Sequence, residues 1–364
     1  MRRSYFIPCL LLGVLLAGCA KKAPRQVEAN APEANELRIV VEHDHIPEAV
    51  IALFEKETGI KVHREIIQSE WGELADLLNA FGRNDLFLFD DWAINGLRRE
   101  GKLEPIDHAA VPNLKNIAPE FLNLPIDPGN QYSVPYLGGV MGILVNTDLV
   151  KQDVKTFQDV FNPKFAGKIW VENSQNNLVE MAWMAGHVTP LNGIAYETLD
   201  AIGPMLRKWL SYVRILANRT PMEPFTKGEV SLGILWSGQA GELMARSPKY
   251  RWIVPAGTTY CFIDSFAMPK GCAQKAKAEA FINFLLRPDV GKIIAESAPY
   301  ASPNAAARAL IPAATLEKKP AAFPPYSVFR RMSLTQESAK EQLMIDEWFP
   351  TLLPAPVAQP APAQ

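Results

Sequence analysis

Short apolar runs alternate with segments of helical spacing through the first half of the chain. Residues 37–41 form the first apolar run, after which Pro47 opens a helix that Gly59 is placed to end. Residues 60–67 and 86–89 repeat the strand-like pattern. This alternation predicts a βαβαβ unit, and such a unit implies a mostly parallel sheet with helices on its faces.

Two further helices complete the predicted unit. Ser69 can cap the second helix, and the third helix follows Asp90 and Asp91 and is ended by Gly101. The apolar residues of the second helix recur at helical spacing: Trp71, Leu74, Leu78 and Phe81. The second helix therefore has an apolar face that can cover the sheet.

Acidic side chains follow two of the predicted strands. Glu42 and Asp44 lie in the stretch EHDH after the first strand, and Asp90 and Asp91 follow the strand at residues 86–89. In such sheets, ligands bind outside the carboxyl ends of the strands. Helix capping explains any one of these acids equally well. Four acids at two strand ends nevertheless indicate a ligand site.

The composition restricts the class of protein only broadly. The 364 residues are 48% hydrophobic and 21% charged, which is enough for a core in two domains or one large one. The formal net charge of -2 argues against a general nucleic-acid binder, because such proteins usually carry a basic surplus. We therefore expect a globular protein without a nucleic-acid partner.

The N-terminal segment has the layout of a secretory signal. Two arginines precede a mostly apolar run over residues 7–16, which is too short to span a bilayer. The small residues directly before Cys19 resemble a bacterial lipobox, which implies cleavage before Cys19 and a lipid on its thiol. A plain signal peptide with a chance cysteine is the alternative. We expect residues 1–18 to be a lipoprotein signal peptide, and the chain to lie at the periplasmic or extracytoplasmic face, anchored to a membrane.

Two low-complexity segments flank the predicted body at residues 37–349. Residues 19–36 carry no periodic apolar pattern and are predicted to form a flexible tether after the lipidated cysteine. Residues 350–364 are rich in proline and alanine and are predicted to be a disordered tail. Within the body, Cys261 and Cys272 flank a strand-like segment. They are expected to be free thiols unless that segment turns back, because a disulfide needs Cα atoms within about 7 Å.

Motifs for covalent or metal chemistry are missing from the sequence. It contains no GxSxG elbow, no GxxxxGK[ST] loop, no HExxH and no GxGxxG after a strand. His43 and His45 could ligate a metal, but no third or fourth ligand is indicated. We expect no enzymatic activity, no cofactor and no metal site.

Aromatic residues accompany the acids near predicted strand ends and loops. These residues are Trp92, Trp170, Trp236, Tyr260, Phe262 and Tyr300. Acids with aromatic walls suit an organic cation, through charge-assisted hydrogen bonds and cation–π contacts. Burial in the core explains any one of these rings taken alone.

Six motifs carry a family resemblance, in family order from about residue 37 to 310. They are LFEKETGIKV, NDLFLFDDWAINGLRREGKL, YSVPYLGGVMGILVN, GEVSLGILWSGQA, DSFAMP and FINFLLRPDVGKIIAESAPYASPNAAARAL. The chain resembles the bacterial extracellular solute-binding proteins, and most of all the spermidine/putrescine-binding proteins of polyamine ABC importers. The resemblance implies a two-lobed α/β fold of the type II periplasmic-binding-protein kind, with a mixed sheet flanked by helices in each lobe and a ligand cleft between the lobes. It places lobe 1 at residues 37–140 plus about 264–310, and lobe 2 at about 141–263 plus 311–349.

The family's ligand residues match this sequence in part. The resemblance makes Asp264 the central amine anchor, Trp236 an aromatic wall and Tyr300 a ring at the lobe interface. Phe262 keeps an aromatic ring where the family usually has Trp. Trp92 stands where the family has a Tyr, and Asp90 stands where it has a Ser.

Other positions depart from the family pattern. Glu42 stands in place of a Trp, His45 in place of a Tyr, and Asp44 is one methylene shorter than the usual Glu. Ser174 and Asn177 align with two acids that typically hold the far amine. Two expected carboxylates are thus missing and two unexpected ones are present. We expect the acids of EHDH to replace those lost from the other lobe.

The predicted function is capture of a small cationic ligand by a monomeric, lipid-anchored protein that delivers it to ABC permease subunits. The ligand is predicted to be spermidine, putrescine or a related organic cation. Two alternatives stay open. The same fold could bind another solute, such as a different organic cation, an amino-acid derivative or a metal ion. It could also belong to a ligand-sensing lipoprotein.

Overall fold

The computed structural model describes residues 35–67, 81–186, 195–217, 220–257, 259–333 and 339–353. Its strands are β1 (Glu36–Glu42), β2 (Lys61–Ile67), β3 (Leu86–Phe89), β4 (Leu103–Glu104), β5 (Ser133–Asn146), β6 (Ile169–Glu172), β7 (Val213–Ala217), β8 (Leu232–Trp236), β9 (Tyr250–Ile253), β10 (Thr259–Pro269) and β11 (Met332–Ser333). No helix within these ranges is long and apolar enough to cross a membrane.

Helices cover the strands. They are α1 (Glu48–Thr58), α2 (Asp91–Arg99), α3 (Phe157–Val160), α4 (Gln175–Gly186), α5 (Tyr196–Leu210), α6 (Met222–Thr226), α7 (Ser237–Arg246), α8 (Lys275–Leu285), α9 (Pro288–Ser297), α10 (Ala305–Arg308), α11 (Ala313–Lys318) and α12 (Ala339–Trp348). Short 3-10 helices lie at Pro112–Asn116, Pro119–Phe121, Pro163–Phe165, Tyr326–Arg331 and Phe349–Leu352.

The βαβ pattern predicted for the first strands is confirmed. β1 pairs in parallel with β2 on one side and with β3 on the other. Gly59 ends α1 with a φ of 72°, a left-handed conformation that glycine adopts without steric cost. The helix predicted after Ser69 lies almost wholly outside the described residues. Its last predicted apolar residue, Phe81, packs its ring against Phe87.

One mixed sheet runs through the molecule in the order β2-β1-β3-β10-β5-β8-β6-β7. β6, β7 and β8 form a second parallel group, whereas β5 is antiparallel to β10 and β8, and β10 is antiparallel to β3. β5 is buried over its whole length, and it pairs with β10 through Val140 and with β8 from Met141 onward. The long strand β5 therefore joins the two parallel groups.

Strand polarity makes the carboxyl ends of the two parallel groups face each other along β5, because three antiparallel pairings separate β3 from β8. β1 and β3 end at Glu42 and next to Asp90, and β6 and β8 end at Glu172 and Trp236. β10 passes between the groups, and its Asp264 immediately precedes the residue that pairs with the last residue of β3. The acids predicted at strand ends thus flank the strand that carries the predicted amine anchor.

Two large apolar clusters form the core. One is centred on β1, β3, α1 and α8, and the other on β6, β8, α4, α5 and α12. This arrangement suits two lobes, whose boundaries stay a prediction. Cys261 and Cys272 form no disulfide with each other, because the strand between them stays extended as expected.

Candidate ligand-binding site

The site is organised around a buried ion pair between Asp264 and His45. Asp264 is 8% exposed and His45 is 4% exposed. The Nε2 atom of His45 lies 3.3 Å from Oδ2 of Asp264 and 3.8 Å from Oε2 of Glu42. The first loop after β1 therefore contacts the middle of β10.

Hydrogen-bond chemistry fixes the charge of His45. Its Nδ1 lies 3.0 Å from the carbonyl of His43, and a carbonyl oxygen can only accept. Its Nε2 faces carboxylate oxygens, which also accept. Burial opposes the charge, but the hydrogen bond and charge of Asp264 outweigh it, so the pKa of His45 is raised to about 9. His45 is therefore an imidazolium at neutral pH.

The hydroxyl of Tyr136 holds this loop in place. It donates a hydrogen bond of 2.8 Å to the backbone carbonyl of His45. Glu42, half-buried at the end of β1, faces the same imidazolium. Burial raises the pKa of Glu42, and the charge of His45 opposes that rise.

Asp90 and Asp91 form a hydrogen-bonded carboxyl pair at the start of α2. Asp90 caps the helix by accepting a 2.9 Å hydrogen bond from the backbone N–H of Trp92. Asp91 is 2% exposed, and burial and the charge of Asp90 raise its pKa well above the ordinary value. Burial also raises the pKa of Asp90, to about 7; the hydrogen bond with Asp91 opposes this rise and the charge of Asp264 adds to it. Burial therefore favours a protonated, hydrogen-bonded state of this pair over two separate carboxylates.

Four rings form a line between the two parallel groups of strands. The ring centroids of Trp236 and Phe262 lie 5.0 Å apart, those of Phe262 and Tyr300 4.9 Å, and those of Tyr300 and His45 6.0 Å. Trp236, Phe262 and Tyr300 are only half-buried. We call these four residues the ring line.

Two glycines make room for the ring line. A Cβ atom on Gly139 would lie 2.1 Å from the ring of Phe262, and one on Gly238 would lie 2.7 Å from the ring of Tyr300. Any larger residue at either position would have to displace the ring, which explains a glycine at both.

A carboxylate also lies at the far end of the ring line. Glu172 is the last residue of β6, and the indole N–H of Trp236 donates a hydrogen bond to its side chain. Burial raises the pKa of Glu172, while this hydrogen bond opposes the rise. The charges of Asp264, Glu42 and Glu172 all raise the pKa of Tyr300, in addition to burial. Tyr300 is therefore close enough to the carboxylates at both ends of the ring line to interact with their charges.

The remaining predicted residues lie outside this arrangement or at its margin. Asp44 adopts a φ of 63°, and its 77% exposed side chain forms an ion pair with His43. Ser174 accepts a 3.4 Å hydrogen bond from the backbone N–H of Asn177 at the start of α4. Trp92 packs partly buried against the cluster that contains β3.

Sequence reasoning did not include Glu172 or Asp91 among the candidate site residues. Glu172 ends the buried strand IWVE, so the strand-end rule that selected Glu42 and Asp90 could have selected it as well. Asp91 was counted among the four strand-end acids, with helix capping as the alternative explanation, whereas the cap is Asp90. With acids at both ends and aromatic rings between them, the site can bind an elongated organic cation.

Fold and site together are those of a solute-binding protein. The family model described as bacterial extracellular solute-binding protein matches residues 49–324. The chain therefore belongs to this family, as the sequence motifs predicted.

Curated relatives and solved structures agree with this assignment. The chain is 32% identical over 289 residues to the spermidine/putrescine-binding periplasmic protein of Escherichia coli K12, covering 78% of this chain and 82% of that protein. It is 28% identical over 326 residues to the putrescine-binding periplasmic protein PotF of the same strain, covering 82% and 85%. A crystal structure of the spermidine/putrescine ABC transporter substrate-binding protein PotD from Streptococcus pneumoniae superposes with a TM-score of 0.80 at 24% identity, covering 88% and 98%. The predicted periplasmic-binding-protein-like α/β fold is confirmed.

Proposed function

We propose that this protein captures spermidine, putrescine or a related organic cation and delivers it to the permease of an ABC importer. The observation that carries this proposal is the ring line with a carboxylate at each end, Asp264 beside His45 and Glu172 beside Trp236. The names of the polyamine-binding relatives support it.

The physical reason is a match of charge and shape. An ammonium group forms charge-assisted hydrogen bonds with carboxylates, and a methylene chain with a positive end is attracted to aromatic faces. The ligand would contact residues of both parallel strand groups. Such a ligand shifts an open ensemble towards a closed one, because only the closed form provides both sets of contacts.

Calorimetry on the full chain, stripped of bound solute by unfolding and refolding, tests the proposal. We expect saturable binding of spermidine with a Kd of roughly 1 μM or lower, and competition by putrescine. No heat and no thermal stabilisation at millimolar polyamine would refute polyamine capture. The mass of the solute released from denatured protein would then identify another organic cation.

The lipid anchor is part of the same proposal. Cys19 lies outside the described residues, and the lipobox-like sequence before it supports lipidation. We expect Cys19→Ala to move the protein from the membrane fraction to the soluble fraction of cells, as measured by immunoblotting. Cys9→Ala is the matched control, because Cys9 precedes the predicted cleavage site. Equal membrane fractions for wild type and Cys19→Ala would contradict the anchor.

A further inference from the structure

We propose that Glu172 holds the far ammonium group of the ligand, the role that family resemblance gives to the positions of Ser174 and Asn177. This inference rests on the proposed function and names the second anchor of the same site. It makes the carboxyl end of β6, rather than the first turn of α4, the place that selects ligands with a second positive charge.

Strand geometry places Glu172 beside the aromatic wall. β6 and β8 are parallel neighbours, with Val171 opposite Ile234. Glu172 and Trp236 therefore leave the sheet at the same edge, and the indole N–H donates its hydrogen bond to the carboxylate. This bond fixes the carboxylate at the end of the ring line.

Glu172 differs from Asp264 in having no cation beside it. Asp264 has the imidazolium of His45 at 3.3 Å. Within the described part of the chain, no Lys, Arg or His acts on the charge of Glu172, whose side chain is nonetheless half-buried. Burial destabilises its charged form, and an ammonium group would reverse that effect. The ligand can thus supply the missing counter-charge.

The two aligned positions do not provide an alternative carboxylate. Ser174 and Asn177 are uncharged, and the hydroxyl of Ser174 accepts the backbone N–H of Asn177 at the start of α4. Tyr300 lies between Glu172 and Asp264 in the ring line, and the charges of both carboxylates raise the pKa of its hydroxyl. A flexible polyamine laid along the ring line can therefore reach one acid with each end.

Glu172→Gln keeps the shape of the side chain and removes its charge. We expect the affinity for spermidine, measured by calorimetry, to fall roughly 10- to 100-fold, because a charge-assisted hydrogen bond is lost. The affinity for n-butylamine, measured by competition, should stay within about twofold, since a monoamine needs only the Asp264 end. Glu229→Gln, an exposed acid ahead of β8, is the matched control and should change neither value.

Two outcomes separate this inference from the proposed function. If the wild-type protein binds no polyamine, the proposed function is refuted, whatever the variant does. If wild type binds spermidine and Glu172→Gln binds it equally well, or loses n-butylamine to the same extent, the assignment of Glu172 is overturned.

A relocation variant adds a gain-of-function test. Adding Ser174→Asp to Glu172→Gln moves the acid to the position that the family resemblance favours. We expect this double variant to recover at least part of the lost spermidine affinity. A double variant that folds with the thermal stability of wild type and recovers nothing would show that Glu172 acts on Trp236 rather than on the ligand, and would overturn the inference.

Discussion

Asp264→Asn should lower the affinity for spermidine at least about 100-fold, because truncating the charge of a buried, hydrogen-bonded pair costs several kcal/mol. The amide keeps the size of the side chain but carries no negative charge to attract an ammonium group. Asp264 lies on the central strand β10, next to the end of β3. Calorimetry with spermidine measures the loss directly.

Asp44→Asn is the matched control for this variant. Asp44 carries the same carboxylate but is 77% exposed, and asparagine tolerates its positive φ. We expect its affinity to equal that of wild type. A loss below threefold for Asp264→Asn, or an equal loss for Asp44→Asn, would contradict the role of Asp264 as the main anchor.

The strand-end rule predicted where acidic side chains gather because it depends only on the order of strands and helices. It placed Glu42 and Asp90 beside the strand that carries Asp264, since β1 and β3 are parallel and end at one edge. It cannot tell which way a side chain turns after the strand. The left-handed backbone at Asp44 leaves that carboxylate in solvent, and no periodicity in the sequence encodes this turn.

The rings show a second limit of sequence reasoning. Trp170 and Tyr260 met the same criteria as Trp236 and Phe262, yet both are buried in the core. Which rings line the site depends on the register of β10 and β5 and on close approach at glycines, as at Gly139. Both features depend on the tertiary structure and cannot be read from local sequence. The ion pair of His45 with Asp264, which joins distant parts of the chain, has the same origin.

The stability of the ligand-free protein should fall as the pH rises from about 7 to above 9, because His45 loses its proton. The pKa of His45 is about 9 in the native protein and 6.5 ordinarily. A raised pKa contributes stability that is fully present below the ordinary value and is lost as the pH passes the native value. The shift corresponds to about 3 kcal/mol in the free energy of unfolding. Urea unfolding at a series of pH values measures it.

His45→Gln separates this effect from the other groups of the site, because glutamine can donate to Asp264 without carrying a charge. Asp90, whose pKa is about 7, still titrates in the lower part of this window, but it does so in both proteins and cancels in their difference; burial keeps Tyr300 protonated across the window. We therefore expect wild type to lose stability relative to the variant across this window, as both Glu42 and Asp264 lose their internal counter-ion. Parallel curves for the two proteins would show that His45 is uncharged in the native state. In that case the ligand would supply the cationic partner of the buried Asp264 carboxylate.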